Sequence, residues 1–322
     1  MAAWYGYRVR VTAPLPDPSA NASDATALDA TALDAAALDA AIGETDWTAP
    51  APGSVRSTFD APSGPLAVVS LGDPTHPRVL MAPGATGSKE DFVLMLPLLA
   101  EAGYYVQAYD LAGNYESWQA GPPPGEHYDY ELFTADLIAL LEAGGPAHLL
   151  GYSFAGIVAQ IATARRPELV RSLTLLTTPP DPGNTYRHVK GIGFISHLVT
   201  PRQGAGLMIW GIGSNLNKVG PSRLEFVKSR FDLTRRECID DIVALMKKAP
   251  DAASGVREAG VPTLVATSEH DLWPVERYAL LAERLGARMA VYRTGHSPCE
   301  TTPHQLVRDM LALFRDAEEQ GR

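Results

Sequence analysis

The chain has 322 residues, of which 46% are hydrophobic and 20% are charged, and its formal net charge is -10. A chain of this length can bury one large core and still carry an inserted subdomain. Its basic residues cluster only in short pairs such as Arg165–Arg166 and Lys247–Lys248, so the composition argues against a nucleic-acid-binding protein.

The first 44 residues have their own pattern. Residues 5–12 alternate between large apolar or aromatic side chains and polar or small ones, which predicts a half-buried strand. Asp24, Asp29, Asp34 and Asp39 then recur every five residues among alanines and leucines. A period of five places no apolar stripe along a helix. We therefore expect a solvated linker or frayed helix over residues 24–41, and a fold that survives deletion of residues 13–44.

From residue 45 onward, predicted strands alternate with predicted helices. Residues 57–60 and 66–71, separated by a Pro-Ser-Gly turn, indicate a β-hairpin. The later strands are predicted at residues 79–82, 105–109, 147–152, 172–177, 263–267 and 289–292, and the helices at residues 88–102, 128–142, 154–166, 275–285 and 305–314. Such alternation predicts a mostly parallel central sheet with helices on both faces.

Residues 181–254 interrupt this alternation. The segment is rich in glycine and in aliphatic side chains, and residues 224–247 have a helical pattern. An insertion of this length between two core strands indicates a helical cap. The predicted domains are therefore an N-terminal strand and linker at 1–44, a core in two parts at 45–180 and 255–322, and a cap at 181–254.

The strongest local motif is Gly151-Tyr-Ser-Phe-Ala-Gly156, which falls where a predicted strand ends and a predicted helix begins. A serine on such a sharp turn projects its hydroxyl, and the N-terminus of the following helix faces developing negative charge. Gly151 and Ala155 supply the small residues that the turn requires, and Gly156 allows the helix to approach the strand. The alternative interpretation is a buried strand followed by a Ser-capped helix.

The segment from Gly151 to Leu176 resembles the nucleophile region of the α/β-hydrolase family, whose nucleophile, acid and base follow one another in that order. The stretch from residue 261 to Pro274 resembles the family's acid loop, and Arg293-Thr-Gly-His296 resembles its histidine loop. The resemblance covers residues 55–318 except the cap. It implies an α/β-hydrolase fold with Ser153 as nucleophile, Asp271 as acid and His296 as base.

The chemistry of the three side chains fits these roles. A serine hydroxyl is a poor nucleophile until a base removes its proton. An imidazole suits that task because its ordinary pKa lies near neutral pH. A carboxylate such as that of Asp271 would fix the tautomer of His296 and stabilise the imidazolium. The other seven histidines lie outside a matching loop, which favours surface or packing roles for them.

The resemblance also implies an oxyanion hole. The backbone N–H of Phe154, the residue after the nucleophile, is one expected donor. The second is the N–H of Ala85, in the glycine-rich loop after the strand at 79–82. The family commonly has a histidine where this chain has Pro83, so we expect the hydrogen bonding of the loop to differ. Gly84 would line the same site, although a simple glycine-rich turn would explain the loop equally well.

The resemblance and the apolar cap together favour hydrolysis of an ester-type bond in a small, fairly apolar substrate. Trp210 and Trp273 are the predicted contacts for that substrate. Thioester, lactone, amide or carbon–carbon cleavage, acyl transfer, and a receptor-like protein without turnover remain alternatives. Epoxide hydrolases and dehalogenases of this family need an aspartate where Ser153 stands, which argues against those activities.

Other partners are not indicated by the sequence. No metal-ligand spacing or cofactor motif is present, so we expect no metal and no cofactor. Cys238 and Cys299 lack the spacing of a zinc site or a disulfide framework. No apolar stretch is long enough to span a membrane, and the N-terminus lacks the pattern of a signal peptide. We expect a cytoplasmic protein, monomeric or homodimeric, that acts on a small molecule.

Overall fold

A computed structural model describes residues 34–190, 199–214 and 219–322 of the chain. The strand that we predict at residues 5–12 lies outside the described residues, as does most of the aspartate repeat. No helix within the described ranges is long and apolar enough to cross a lipid bilayer.

A central sheet organises the described residues. Its strands are β1 (Val55–Ala61), β2 (Gly64–Leu71), β3 (Arg78–Ala82), β4 (Tyr105–Tyr109), β5 (Ala147–Tyr152), β6 (Val170–Leu176), β7 (Thr263–Ser268) and β8 (Arg288–Tyr292). They lie in the order β1-β2-β4-β3-β5-β6-β7-β8. The first two strands form the predicted hairpin, β2 pairs with β4 antiparallel, and the remaining neighbours are parallel.

Helices connect these strands. They are α1 (residues 34–40 of the described chain), α2 (Met95–Glu101), α3 (Tyr130–Gly144), α4 (Phe154–Arg165), α5 (Pro201–Gly213), α6 (Pro221–Leu233), α7 (Arg236–Met246), α8 (Ala253–Ala259), α9 (Val275–Leu285), α10 (Pro298–Thr301) and α11 (Pro303–Glu319). Short 3-10 turns occur at Lys89–Phe92, Tyr115–Ser117, Pro167–Leu169 and Thr185–His188.

The sheet is covered on both faces, as the strand–helix alternation predicts. Every residue of β5 is buried, and its neighbours Leu149 and Leu150 belong to two different core clusters because successive side chains of a strand point to opposite faces. The cluster around Leu149 includes side chains of α3, α4 and α9, whereas the cluster around Leu150 includes α2 and α11. This arrangement confirms the predicted α/β-hydrolase fold class.

Two predicted helices are each divided. The helix expected at residues 224–247 is α6 followed by α7, because Thr234 adopts an extended backbone and its hydroxyl donates to the carbonyl of Arg230. The helix expected at residues 88–102 begins as a separate 3-10 turn, in which the carboxylate of Asp91 accepts the N–H of Ser88. Side chain-to-backbone bonds of this kind compete with a continuous helix.

The helices α5, α6 and α7 lie between β6 and β7 in the chain, in the segment that we predict to be a cap. Ile242, Leu245 and Met246 of α7 pack into the same core cluster as the side chains of α3. This part of the chain is therefore fastened to the core by apolar contacts as well as by the ion pairs described below.

The end of the aspartate repeat is not a solvated linker. Asp39 is buried in α1, and its carboxylate accepts hydrogen bonds from the backbone N–H groups of His304 and Gln305 at 2.8 and 3.2 Å. These N–H groups lie in the first turn of α11, where they lack intrahelical acceptors. The expectation of a solvated segment is wrong at this position, because one aspartate of the repeat caps a core helix from outside.

Candidate active site

Ser153 stands at the carboxyl end of the central strand β5, between that strand and α4. Its φ and ψ are 51° and -118°, a backbone conformation that a non-glycine residue rarely adopts. The N–H of Ser153 donates to the carbonyl of Leu176 on the neighbouring strand at 2.8 Å. The serine thus occupies the strained strand-to-helix turn that the motif predicts, and strain of this kind is frequent at functional sites.

The space around this turn requires small residues. A Cβ atom on Gly151 would lie 2.7 Å from the carbonyl oxygen of Ala155, and one on Gly156 would lie 1.8 Å from Oγ1 of Thr178. Neither position tolerates a side chain without movement of the backbone or of a buried threonine. The glycines of the motif are therefore explained by close packing at the turn.

The structure brings the three predicted catalytic residues together. Nε2 of His296 lies 3.1 Å from Oγ of Ser153, and Nδ1 of the same ring lies 2.5 Å from Oδ1 of Asp271. The imidazole therefore bridges the hydroxyl and the carboxylate in one line. With Nδ1 protonated toward Asp271, Nε2 is free to accept the proton of Ser153.

Asp271 follows β7, and its side chain is fully buried. Its second oxygen, Oδ2, accepts a hydrogen bond from the hydroxyl of Tyr278 on α9. Burial raises the pKa of Tyr278 well above its ordinary value, so that hydroxyl stays protonated and donates. The sequence analysis did not identify Tyr278; its position seven residues after Asp271, in the helix that starts at the acid loop, is the available signal.

The ring of His296 is enclosed by two aromatic residues. The ring centroid of Tyr152 lies 5.6 Å away and that of Trp273 lies 6.0 Å away. Trp273 is 1% exposed, and its Nε1 donates to the carbonyl of Thr185 at 2.6 Å. The structure thus makes Trp273 a packing partner of the imidazole. Trp210, the other tryptophan predicted to contact substrate, is 61% exposed on α5.

The loop after β3 lies against the nucleophile. A Cβ atom on Gly84 would lie 3.3 Å from Cβ of Ser153, so the loop backbone approaches the serine as closely as a glycine allows. Within the described residues, the backbone N–H of Ala85 has no acceptor. Phe154 is the first residue of α4, where N–H groups have no intrahelical acceptor. These are the two donors that the resemblance implies.

The side chain of Asn114 holds the loop through a hydrogen bond. Its side-chain Nδ2 donates to the carbonyl of Ala85 at 3.1 Å, and the N–H of Gly87 donates to the carbonyl of Gly84 at 2.9 Å. Asn114 is fully buried, and Cys238 of α7 contacts its Oδ1. Sequence reasoning missed Asn114. Its contact with Ala85 joins residues that are 29 positions apart in the chain, and no local pattern signals it.

A buried ion cluster underlies the same loop. Nζ of Lys89 lies 3.0 Å from Oδ2 of Asp110 and 2.6 Å from Oε2 of Glu116. The N–H of Lys89 also donates to Oδ1 of Asp110 at 2.7 Å. Burial raises the pKa of Asp110 to about 7, and the ammonium group of Lys89 opposes that rise. The ammonium group is therefore what permits a fully buried carboxylate at this position.

Comparison with known proteins adds evidence about the family. The sequence model of the "Alpha/beta hydrolase family" matches residues 79–309 of the chain, which include every residue of the site described above. That span is more than half of the chain.

Curated relatives match shorter segments. The chain is 33% identical over 119 residues to epoxide hydrolase A of Mycobacterium tuberculosis, which is 36% of each protein. It is 32% identical over 110 residues to bifunctional epoxide hydrolase 2 of Sus scrofa, covering 34% of the chain and 20% of the relative. It is 31% identical over 132 residues to the human serine hydrolase-like protein, covering 40% of the chain and 64% of the relative. Each match spans less than two thirds of the relative's length.

Solved structures superpose on a larger part of this chain than the curated relatives match. A carboxylesterase structure from Nitrososphaera gargenis superposes with a TM-score of 0.65 at 17% identity, covering 82% of this chain and 100% of that one. An epoxide hydrolase from Vigna radiata gives a TM-score of 0.67 at 16% identity, covering 82% and 98%. A hydrolase from Pseudomonas aeruginosa gives a TM-score of 0.64 at 22% identity, covering 80% of this chain and 97% of that one. At these identities the superpositions are evidence for the fold alone.

Proposed function

The chain belongs to the alpha/beta hydrolase family, and from that premise we propose that it is a serine hydrolase that cleaves an ester-type bond in a small, fairly apolar substrate. One observation carries the proposal: His296 bonds at once to the hydroxyl of Ser153 and to the buried carboxylate of Asp271. Hydroxyl, imidazole and carboxylate in this order form the machinery of acyl transfer on several unrelated folds.

The first half of the reaction follows from these contacts. Nε2 of His296 takes the proton of Ser153 as Oγ attacks the ester carbonyl carbon, and Asp271 stabilises the imidazolium. The carbonyl oxygen becomes an oxyanion, which accepts hydrogen bonds from the N–H groups of Phe154 and Ala85. The bond to the leaving alcohol then breaks, His296 returns its proton to that alcohol, and an acyl group remains on Ser153.

In the second half, water replaces the alcohol. His296 removes a proton from the water as its oxygen attacks the acyl carbon, and the same two N–H groups hold the second oxyanion. Collapse of this intermediate releases the carboxylic acid and returns the proton from His296 to Oγ of Ser153. Each proton therefore moves across the contact at Nε2, while the contact at Nδ1 only holds the ring in place.

The epoxide hydrolases among the relatives raise a competing activity. Family members that open epoxides use an aspartate as nucleophile, and this chain has Ser153 at that position. An alkyl ether on serine could not be hydrolysed in the way that an alkyl ester on aspartate is. The nucleophile therefore favours ester cleavage over epoxide opening, in spite of the matched segments.

Short acyl p-nitrophenyl esters test the proposal directly. The wild-type protein is expected to release p-nitrophenol, and Ser153→Ala is expected to lose about a thousandfold or more of kcat. Ser214→Ala serves as the matched control, because Ser214 is an exposed serine at the end of α5. If Ser153→Ala keeps the turnover of the control, the assignment of the nucleophile is wrong.

A fluorophosphonate probe separates the remaining alternatives. A wild-type adduct on Ser153 without ester turnover would direct the search to thioesters, lactones, amides, carbon–carbon bonds or acyl transfer, which the same triad can serve. No adduct at all would favour a receptor-like protein without turnover. An epoxide tested in the same panel is expected to remain intact.

A further inference from the structure

Two arginines project from one face of the helix α6. Arg223 and Arg230 are seven residues apart, which is two turns of an α-helix, so both side chains leave the helix on the same side. Both are nearly fully buried, at 6% and 4% exposed. Buried guanidinium groups are costly unless they are paired, so their partners define what this face of α6 does.

The partners are two buried carboxylates of the core. Nη2 of Arg223 lies 2.6 Å from Oδ1 of Asp91 and 2.6 Å from Oε1 of Glu300. Nη1 of Arg230 lies 2.8 Å from the same oxygen of Asp91 and 3.2 Å from Oγ of Ser88. Two positive and two negative groups form a balanced cluster, so its charges leave no surplus for an anionic ligand.

Asp91 connects this cluster to the oxyanion loop. Its Oδ2 accepts the N–H of Ser88 at 3.2 Å. A Cβ atom on Gly87 would lie only 2.4 Å from the same oxygen, so the carboxylate is packed directly against the end of the loop. Gly84, at the start of that loop, packs on Ser153. A displacement of Asp91 would therefore be transmitted to the backbone that faces the nucleophile.

Glu300 connects the cluster to the histidine loop. It lies on α10, four residues after His296, and its N–H donates to the carbonyl of Ser297 at 3.0 Å. Oγ of Ser297 in turn lies 2.8 Å from the hydroxyl of Tyr152, the residue that precedes Ser153. Glu300 is thus joined to the segment that holds the imidazole beside the serine.

The ring of Trp47 fixes the orientation of the Arg223 guanidinium. Its centroid lies 4.4 Å from Cζ of Arg223, within the range of a cation–π contact. The hydroxyl of Ser222 also donates to the carbonyl of Thr45 at 2.6 Å. The segment from Thr45 to Trp47 therefore holds the start of α6 against the core, at the point where Arg223 reaches both carboxylates.

We propose that Arg223 is a positioning residue that ties the oxyanion loop to the histidine loop through α6, so that the two loops meet at Ser153 in productive geometry. The inference rests on the proposed function, since it concerns the rate of the proposed ester hydrolysis at Ser153. Apolar side chains could fill the same volume, often with no loss of stability. What the ion cluster adds is one guanidinium nitrogen, Nη2 of Arg223, that lies 2.6 Å from each of two carboxylates and so holds them together.

The expected consequence is a loss of rate without a matching loss of substrate affinity. Catalytic groups displaced by about 1 Å can cost about a hundredfold in rate. Arg223→Lys preserves the charge, but its ammonium lacks the guanidinium plane that stacks on Trp47 and places Nη2 between the two carboxylates. We expect it to lower kcat by about tenfold and to change KM by less than about threefold.

Chemical rescue provides a readout that a purely structural role would not move. Arg223→Ala leaves a space between Asp91 and Glu300 that is shaped for a guanidinium ion. Guanidinium chloride at tens of millimolar is expected to raise the kcat of that variant about fivefold or more, against sodium chloride at equal ionic strength. Arg236→Ala is the matched control, because Arg236 is an exposed arginine on α7 whose partner is Asp240.

The rate of phosphonate labelling at Ser153 separates the two proposals. If the proposed function fails, the wild type is either not labelled or is labelled without turning over p-nitrophenyl esters. If only the role of Arg223 fails, the wild type is labelled and the folded Arg223→Lys variant is labelled equally fast with an unchanged kcat. Should Arg223→Ala not fold, a double-mutant cycle of Arg223→Lys with Glu300→Gln decides, and additive effects on kcat overturn the inference.

Discussion

Tyr278 donates a hydrogen bond to Oδ2 of Asp271, the oxygen that does not face His296. Tyr278→Phe removes this donor from a fully buried carboxylate, and a hydrogen bond to a charged group contributes about 1.5–3 kcal/mol. Asp271 then places more of its negative charge on the imidazolium. We expect the acid limb of the kcat/KM–pH profile to move to higher pH, and kcat at neutral pH to fall severalfold.

Tyr105→Phe provides the control for this measurement. Tyr105 is the first residue of β4, whereas the site lies where the parallel strands end. Among the residues that the structure describes, the hydroxyl of Tyr105 accepts a hydrogen bond from Gln107. The pH profile of this control is expected to match that of the wild type. A Tyr278→Phe profile with an unmoved acid limb would mean that the tyrosine does not tune the charge of Asp271.

A second prediction concerns Asn114, which donates to the carbonyl of Ala85. Asn114→Asp has nearly the same shape, but it places a carboxylate oxygen against that carbonyl. The repulsion would move the loop whose N–H faces the oxyanion, so we expect kcat for p-nitrophenyl esters to fall about tenfold or more. KM should change little, because the ground-state carbonyl depends less on this donor. Wild-type kcat in Asn114→Asp would exclude a role for Asn114 in holding the loop.

The sequence predicted the parts of the site that depend on local patterns. Ser153 was identifiable because a small-residue motif coincided with the end of an apolar run, and β5 and α9 begin and end at the predicted residues. The order of Ser153, Asp271 and His296 then supplied the partners through the family resemblance. Apolar periodicity and turn chemistry are local properties, so they are available without a fold.

The contacts that hold the site are long-range, and they were not predictable in this way. Arg223 and Asp91 are 132 residues apart in the chain, and nothing near either one indicates the other. Trp273 is predicted to contact substrate, and the sequence does not indicate that its ring centroid lies 6.0 Å from that of His296. A side chain's neighbours across the core depend on packing between elements, which a single sequence does not specify.

A third prediction tests the ion cluster beneath the oxyanion loop. Lys89→Met leaves Asp110 buried without its counter-charge, and such a loss costs about 3–5 kcal/mol of unfolding free energy. The penalty should shrink as the pH falls and Asp110 becomes protonated. Adding Asp110→Asn should restore part of the stability in urea denaturation at pH 7. Equal instability of the single and double variants would argue against an electrostatic origin.

The fourth prediction concerns His148, which is fully buried and stacks on Phe314 with ring centroids 4.0 Å apart. Burial lowers the pKa of His148 from 6.5 to about 3, with a smaller contribution from Arg171. Between those pH values the unfolded chain binds a proton that the folded chain does not, so stability falls as the pH falls. A single group of this kind contributes a slope of about 1.4 kcal/mol per pH unit.

Urea denaturation between about pH 3 and 6.5 measures how steeply the unfolding free energy depends on pH. His148→Phe keeps an aromatic ring against Phe314 but cannot titrate, so its stability should depend less steeply on pH than that of the wild type. His76→Gln, which removes an exposed histidine, should leave the slope unchanged. If the stability of His148→Phe depends on pH as steeply as that of the wild type, the acid sensitivity comes from other groups.

The fifth prediction concerns the aspartate repeat, of which Asp34 and Asp39 lie in the described chain. Asp39 caps the first turn of α11, and its carboxylate also bonds the side chains of His304 and Gln305. Asp34 is exposed on the same helix. Asp39→Ala should therefore lower the unfolding free energy by about 1–2 kcal/mol, the usual effect of removing a helix cap, whereas Asp34→Ala should change it by less than about 0.5 kcal/mol. Because Asp39 bonds to the first turn of α11, Asp39→Ala is also expected to increase amide exchange at residues 303–306. If thermal melts of the two variants coincide, the carboxylate of Asp39 does not cap α11 in solution, and the repeat is the dispensable linker that its five-residue period suggests.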